Sequence, residues 1–98
     1  MKLTSKQRKY LRSKAHHLKP VVTIGKADFS QSIIDTVEQC LNSHELIKVK
    51  FSQHKDSKEE IVNKINSAID SQTVGAIGNI VIIFRQNSDL DKRIYKID

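Results

Sequence analysis

The side chains best suited to chemistry are the lysines and arginines at the start of the chain. Residues 1–27 contain eight of them and no acidic residue, a net charge of +8, in a 98-residue chain whose net charge is +6. The remaining residues are slightly acidic, with a net charge of −2. Such segregation predicts a positive patch that attracts a polyanion. A solvated basic face without a partner is the alternative reading.

These cations are predicted to lie on one helix. Thr4 and Gln7 have the spacing of a capping box, which predicts a helix that starts near Ser5. Pro20 cannot continue a helix, so the helix should end before it. A narrow apolar stripe at helical spacing should face the core, and it consists of Leu11, Ala15 and Leu18.

A cationic face is predicted opposite this stripe. Arg12, His16 and Lys9 lie about 120–180° around the helix from Leu18. Rigidly spaced cations can follow a phosphate backbone, and each contact releases condensed counterions. The candidate binding residues on and after this helix are Lys6, Arg8, Lys9, Arg12, His16 and Lys19.

A second candidate is the turn after a short predicted strand, residues 21–24. Gly25 lets the backbone approach a ligand closely, and Lys26 adds a mobile positive charge. The next helix, capped by Asp28 or Ser30, directs the positive end of its dipole toward this turn. An ordinary turn between a strand and a helix explains the same residues equally well.

Segment Leu46–Phe51 alternates between apolar and polar residues. This pattern predicts a half-buried strand whose Lys48 and Lys50 point to a wet, basic face. Two later strands are predicted to meet at the Gly78-Asn79 turn.

Two further helices are predicted from helical spacing of apolar residues, the second of them after a capping box at Ser57–Glu60. The element order is therefore α-β-α-β-α-β-β. It predicts a single α/β (α+β) domain, residues 1–98, with a mixed four-stranded sheet packed with helices on at least one face. Residues 88–98 are expected to fray or to add an edge strand. The predicted buried positions of the two helices are Ile33, Val37 and Leu41, then Ile61, Ile65 and Ala68 with Ile69.

Two stretches closely resemble the signatures of the CRM domain: AHHLKPVVTIGK at residues 15–26 and HELIKVK at residues 44–50. LTSKQR at residues 3–8, and an apolar strand that follows Ile77-Gly78 and ends in Arg85, resemble the start and end of that family. A single copy of this length is similar to the bacterial YhbY family. The resemblance implies RNA binding, association with precursors of the large ribosomal subunit, and a fold similar to the C-terminal domain of bacterial translation initiation factor three.

In this family the loop after the first strand reads Gly-x-x-Gly, similar to the loop with which KH domains clamp a nucleic-acid backbone. The present sequence keeps Gly25 and Lys26 but has Asp28 in place of the second glycine. The string at residues 75–78 has the same pattern but falls on a predicted strand and hairpin. Together with Lys48 and Lys50, Gly25 and Lys26 complete the candidate RNA-binding set.

Enzymatic chemistry is disfavoured by the spacing of the reactive residues. Adjacent His16 and His17 should diverge by about 100° on a helix, and Cys40 is interpreted as semi-buried packing. We therefore expect no catalytic residue, no metal and no cofactor. A small basic ribonuclease and a protein-binding ribosome assembly factor are the alternative functions.

The longest apolar run, Ile80–Phe84, is far shorter than the roughly twenty residues of a membrane-spanning helix. A single cysteine and the absence of an export signal favour a reducing cytoplasm. We expect a cytoplasmic monomer whose partner is RNA, with ribosomal proteins as further candidates and no membrane contact.

Overall fold

The computed structural model describes residues 2–25, 30–52 and 58–97. Helices and strands follow one another in the predicted order within these residues. Their bounds are α1 Ser5–Ala15, β1 Pro20–Ile24, α2 Gln31–His44, β2 Leu46–Phe51, α3 Lys58–Ile69, β3 Gln72–Ile77 and β4 Ile80–Phe84, followed by a 3₁₀ helix at Leu90–Lys92.

The strands form a mixed four-stranded sheet in the order β1-β2-β4-β3. β1 and β2 are parallel, since the chain crosses over between them through α2, and β4 is antiparallel to both of its neighbours. β3 and β4 form the predicted hairpin, and Gly78 at its turn has a φ of +58°. The predicted fold class is confirmed.

Buried side chains form two clusters, one on each face of the sheet. α2 and α3 cover one cluster, and α1 covers the other, which includes Leu46. The face of β2 that carries Lys48 and Lys50 was predicted to be exposed to solvent, but α1 covers part of it. Lys48 is half-buried there and Lys50 is exposed. The β2 residues in the cluster of α2 and α3 are Ile47, Val49 and Phe51, as the alternation predicted.

The predicted capping box begins α1. The Thr4 hydroxyl accepts a hydrogen bond from the Gln7 backbone N–H at 3.1 Å, and the Gln7 side chain accepts one from the Thr4 N–H at 2.9 Å. The helix ends at Ala15, so Leu18 packs against the α1 cluster from the segment that follows the helix. The apolar stripe of the helix itself is shorter than predicted.

The other two helix starts are only partly described. Ser30 occupies the N-cap position of α2, but its side chain makes no capping hydrogen bond. Asp28 and Ser57, the other predicted caps, lie outside the described residues. In α3, Ile69 is buried and Ala68 is exposed, so the buried stripe does not include Ala68 as predicted.

The segment after β4 folds back onto the domain. Residues 88–97 contain no strand, so the edge-strand alternative is wrong, and Ile97 is buried in the α1 cluster. Glu45, only 1% exposed, accepts hydrogen bonds from the backbone N–H groups of Asn87, Ile94 and Tyr95. Because a buried carboxylate needs such donors, Glu45 and this segment stabilise each other.

Candidate nucleic-acid interface

The cations of α1 lie on a helix without acidic side chains. The helix carries three lysines and two arginines and no Asp or Glu. Of the predicted site residues on and after it, Arg8 is half-buried, and the exposed ones are Lys6, Lys9, Arg12, His16 and Lys19.

Arg8 is held against the start of the helix. Its Nη1 donates to the backbone carbonyl of Leu3 at 2.9 Å, and its Nη2 donates to the Ser5 hydroxyl at 3.3 Å. These bonds use part of the guanidinium's hydrogen-bonding capacity, so Arg8 adds charge to the surface but has fewer free donors than Arg12.

Arg12 leans across α1 onto strand β3. The register of β3 against β4 shifts between Thr73 and Gly75, which leaves Val74 as an extra residue. The carbonyl oxygen of Val74 accepts a hydrogen bond from Arg12 Nη1 at 3.4 Å. Arg12 therefore lies at the flank of the helix, in contact with the sheet, and not opposite the core as the helical wheel predicted.

Lys48 lies in the same row of the sheet as the contact between Arg12 and β3. Lys48 pairs with Ile82 on β4, and Ile82 pairs with Gly75 on β3. With neighbouring strands about 4.8 Å apart, the backbones of Lys48 and Gly75 are about 10 Å apart. Nζ of Lys48 donates to the carbonyl oxygen of Leu18 at 2.9 Å, which joins the lysine to the chain just after α1.

Lys50 extends the positive charge beyond the helix. It lies two residues after Lys48 on the same face of the sheet, about 6.6 Å further along β2, and it is exposed. Its partners in the neighbouring strands are Thr23 and Ile80. We call the surface formed by Lys9, Arg12 and His16 of α1, with Lys48 and Lys50 of β2, the basic band. Lys9 and His16 belong to it because they lie three and four residues from Arg12 on the helical repeat.

Lys6 lies one turn before Lys9 on α1 and continues the positive charge toward the start of the helix. It lines a cavity of about 260 Å³ with Tyr10 on the flank that faces Lys96 and Ile97 of the C-terminal segment. The cationic face of α1 thus runs from Lys6 beside the C-terminal segment to Arg12 beside the sheet.

The Gly-Lys turn is described only at its first residue. Gly25 is half-buried and directly follows Ile24, which pairs with Phe51 at the end of β2. It therefore lies at the same end of β2 as Lys50. Lys26 and Asp28 lie outside the described residues.

The histidine pair has a different geometry from the predicted one. The rings of His16 and His17 are edge to face, with centroids 5.2 Å apart. The expectation that they diverge is wrong, because the chain turns directly after His16, where the Leu18 N–H donates to the Ala15 carbonyl at 2.9 Å. In residues 2–25, 30–52 and 58–97, no three His, Cys, Asp or Glu side chains form a group that could hold a metal ion.

Cys40 is half-buried and packs against the cluster of α2 and α3, in agreement with the packing interpretation. Among the described residues, no helix has the length and apolar character needed to cross a membrane.

Sequence reasoning missed two residues that shape this surface. Gly75 was noted only because residues 75–78 resemble a clamp motif. It actually lies at the bulge in β3, which is set by pairing with β4 and has no local sequence pattern. Glu45 has no local signal either, because its three partners are 42 to 50 residues away in the chain.

Comparisons with known proteins agree with the resemblance in the sequence. The family model described as the CRS1 / YhbY (CRM) domain matches residues 3–85. A Bacillus subtilis protein named "Probable RNA-binding protein YqeI" is 34% identical over 88 residues, which cover 89% of this chain and 92% of that protein. A Haemophilus influenzae protein named "RNA-binding protein" is 35% identical over 88 residues, 89% of each chain.

The fold is also similar to a solved structure. The solution structure of a hypothetical protein from Staphylococcus aureus superposes with a TM-score of 0.79 at 33% sequence identity. The match covers 97% of this chain and 100% of the other. The family model, the relatives and the fold agree, and this chain belongs to the CRS1 / YhbY (CRM) domain family.

Proposed function

We propose that this chain is an RNA-binding protein of the cytoplasm whose target is ribosomal RNA in precursors of the large ribosomal subunit. The names of the Bacillus and Haemophilus relatives support RNA as the ligand. The ribosomal target rests on the resemblance to the YhbY family. The basic band is the proposed contact surface, and Gly25, Lys26, Lys19, Lys6 and Arg8 add to it.

The observation that carries the proposal is the continuity of charge from α1 to β2. Arg12 contacts Val74, the third residue of β3, and Lys48 and Lys50 lie on the same face of the sheet. A helix with scattered cations is common on protein surfaces. Cations from two elements, held on one face by sheet register, match a phosphate backbone that passes over both.

The side chains of the basic band differ in how many hydrogen-bond donors they can offer to a phosphate. Lys9 and Lys50 are exposed and can each meet a phosphate, whereas Lys48 already donates to Leu18 and acts mainly as fixed positive charge. Arg12 can offer its remaining N–H groups in a planar fork, which suits bidentate phosphate contacts. Contacts of this type read the shape and backbone of RNA more than its sequence.

The salt dependence of RNA binding tests this surface. Affinity for a structured ribosomal RNA fragment should fall steeply with salt, at about 0.7 to 0.9 log units per phosphate contact. The double variant Lys9→Gln/Lys50→Gln should therefore flatten the slope by about 1.4 to 1.8 units. Lys64→Gln/Lys92→Gln is the matched control, since it removes the same charge from α3 and the 3₁₀ helix.

Equal slopes for the two double variants, both folded, would place the RNA elsewhere on the protein.

The ribosomal target needs a separate experiment, in which RNA crosslinked to the protein in cells is sequenced. Precursors of the large-subunit RNA should be enriched with the wild-type chain and lost with Lys9→Gln/Lys50→Gln. Enrichment that persists in that variant would indicate recruitment through a protein partner.

A further inference from the structure

A cavity of about 290 Å³ opens beside the basic band, where five segments of the chain meet. Leu18 and Lys19 come from the segment after α1, Val21 from β1, His44 from the end of α2, and Ile94 and Tyr95 from the C-terminal segment. Leu46 and Ile47 of β2 complete its lining. No function described above uses this cavity.

The walls of this cavity leave apolar surface in contact with water. Val21 is 48% exposed and Ile94 is 55% exposed, although both border a cavity. Tyr95 is half-buried against the α1 cluster, with its ring edge to face with Phe84 at a centroid distance of 6.5 Å. Such a site can hold a flat, apolar-faced group between aliphatic side chains and an aromatic ring.

The charge around the cavity restricts what that group can be. Its rim carries Lys19 and His44, and none of its lining residues is acidic. The cavity also adjoins the basic band, because the carbonyl of Leu18 accepts the hydrogen bond from Lys48. A ligand that follows the band past Leu18 would therefore bring its next group to this opening, with its phosphate near Lys19.

We infer that this cavity holds a single unpaired nucleobase of the bound RNA. The volume equals that of about ten liquid waters at roughly 30 Å³ each, which is room for one heterocyclic ring system. Val21 and Ile94 pack on the faces of the base, and Lys19 contacts the flanking phosphate. The inference rests on the proposed RNA binding and adds a preference for RNA with an unstacked base, as in a bulge or loop.

Two RNA hairpins that differ only in a bulge test this site. One carries a single bulged adenosine, and the other carries an abasic residue at the same position, so both have the same phosphates. The wild-type chain should bind the adenosine bulge about fivefold more tightly, since only that hairpin offers a base whose apolar faces the cavity can bury. Ile94→Ala should remove most of that preference. Ile77→Ala, at a 71% exposed residue of the distant hairpin, is the matched control and should keep it.

A second measurement places the base directly. Adenosine monophosphate should shift the methyl resonances of Val21 and Ile94 through ring currents, and ribose 5-phosphate should not. Equal affinities for the two hairpins, with a salt slope still flattened by Lys9→Gln/Lys50→Gln, would overturn the base site and leave the RNA-binding function intact. Loss of the slope effect as well would overturn both. Unchanged methyl resonances of Val21 and Ile94 on addition of adenosine monophosphate would also contradict the inference. The cavity would then be a candidate site for a protein ligand.

Discussion

The stem of Arg12 occupies the place where a side chain at position 75 would be. A Cβ atom built on Gly75 would lie 2.9 Å from Cδ of Arg12 and 3.4 Å from its Cγ. The bulge in β3 explains this contact: Val74 fills the α1 cluster, while Gly75 pairs with Ile82 on the same face and leaves a gap. Arg12 can therefore pack against the sheet because position 75 has no side chain.

Gly75→Ala should weaken RNA binding without weakening the fold. The added methyl group displaces the Arg12 stem, and one cation beside a phosphate at a wet surface is worth on the order of 1 kcal/mol, or up to about fivefold in affinity. Because Gly75 does not require a left-handed backbone, alanine should leave the free energy of unfolding unchanged or raise it by about 0.4–1 kcal/mol. Binding isotherms and urea unfolding curves measure both effects.

A double-mutant cycle isolates the contact between these two residues. Gly75→Ala should have no further effect on affinity in an Arg12→Gln background, because glutamine keeps the stem atoms but lacks the guanidinium that the methyl group would move away from the RNA. Additive losses in the cycle would show that the methyl group acts on RNA binding by another route.

Glu45→Gln should destabilise the whole domain. The carboxylate is buried and accepts from the backbone N–H groups of Asn87, Ile94 and Tyr95, and an amide cannot accept on both of its terminal atoms. A buried donor left without a partner costs about 1–3 kcal/mol, which a urea unfolding curve resolves. Asp91→Asn is the control in the same C-terminal segment, where the residue is exposed.

Limited trypsin digestion gives an independent readout of the same change. Cleavage after Lys92 and Arg93 should accelerate in Glu45→Gln before the rest of the domain unfolds, because the segment loses its anchor. Equal cleavage rates in Glu45→Gln and Asp91→Asn would mean that the anchor lies elsewhere.

The fold could be predicted from local patterns, whereas part of the surface could not. Capping at Thr4 and alternation along β2 are properties of neighbouring residues, and both are confirmed. The position of Arg12 depends on a bulge in a strand more than sixty residues away, and the anchor at Glu45 depends on a segment that follows the last strand. The sequence identifies the cationic residues, and periodicity groups those of one helix or strand. Register and long-range hydrogen bonds decide which cations of different elements share a face.

The protein should leave RNA intact. Ribosomal RNA incubated with purified protein, with and without divalent metal ions, should show no new fragments, because the proposed contacts of the basic band hold the phosphate backbone without chemistry on it. Gel analysis over several hours checks this. Cleavage that disappears in both His16→Ala and His17→Ala would instead identify a ribonuclease, whereas cleavage retained in both variants would indicate a contaminant.

The stability of the domain at alkaline pH should depend on Tyr95. Burial raises the pKa of this residue above the ordinary value of 10.0, and the nearby charges of Glu45 and Tyr10 raise it further. The folded state therefore holds the phenol proton more tightly than the unfolded state, so the free energy of unfolding is largest below pH 10.0 and falls as the pH rises through the folded pKa. Urea unfolding at a series of pH values should show this fall, and Tyr95→Phe should reduce it, because phenylalanine has no proton to lose. The comparison between the two proteins at each pH removes the contributions of lysines, which titrate in the same range. Parallel curves for wild type and Tyr95→Phe would mean that Tyr95 ionises equally easily in both states, and that burial against the α1 cluster does not protect its hydroxyl.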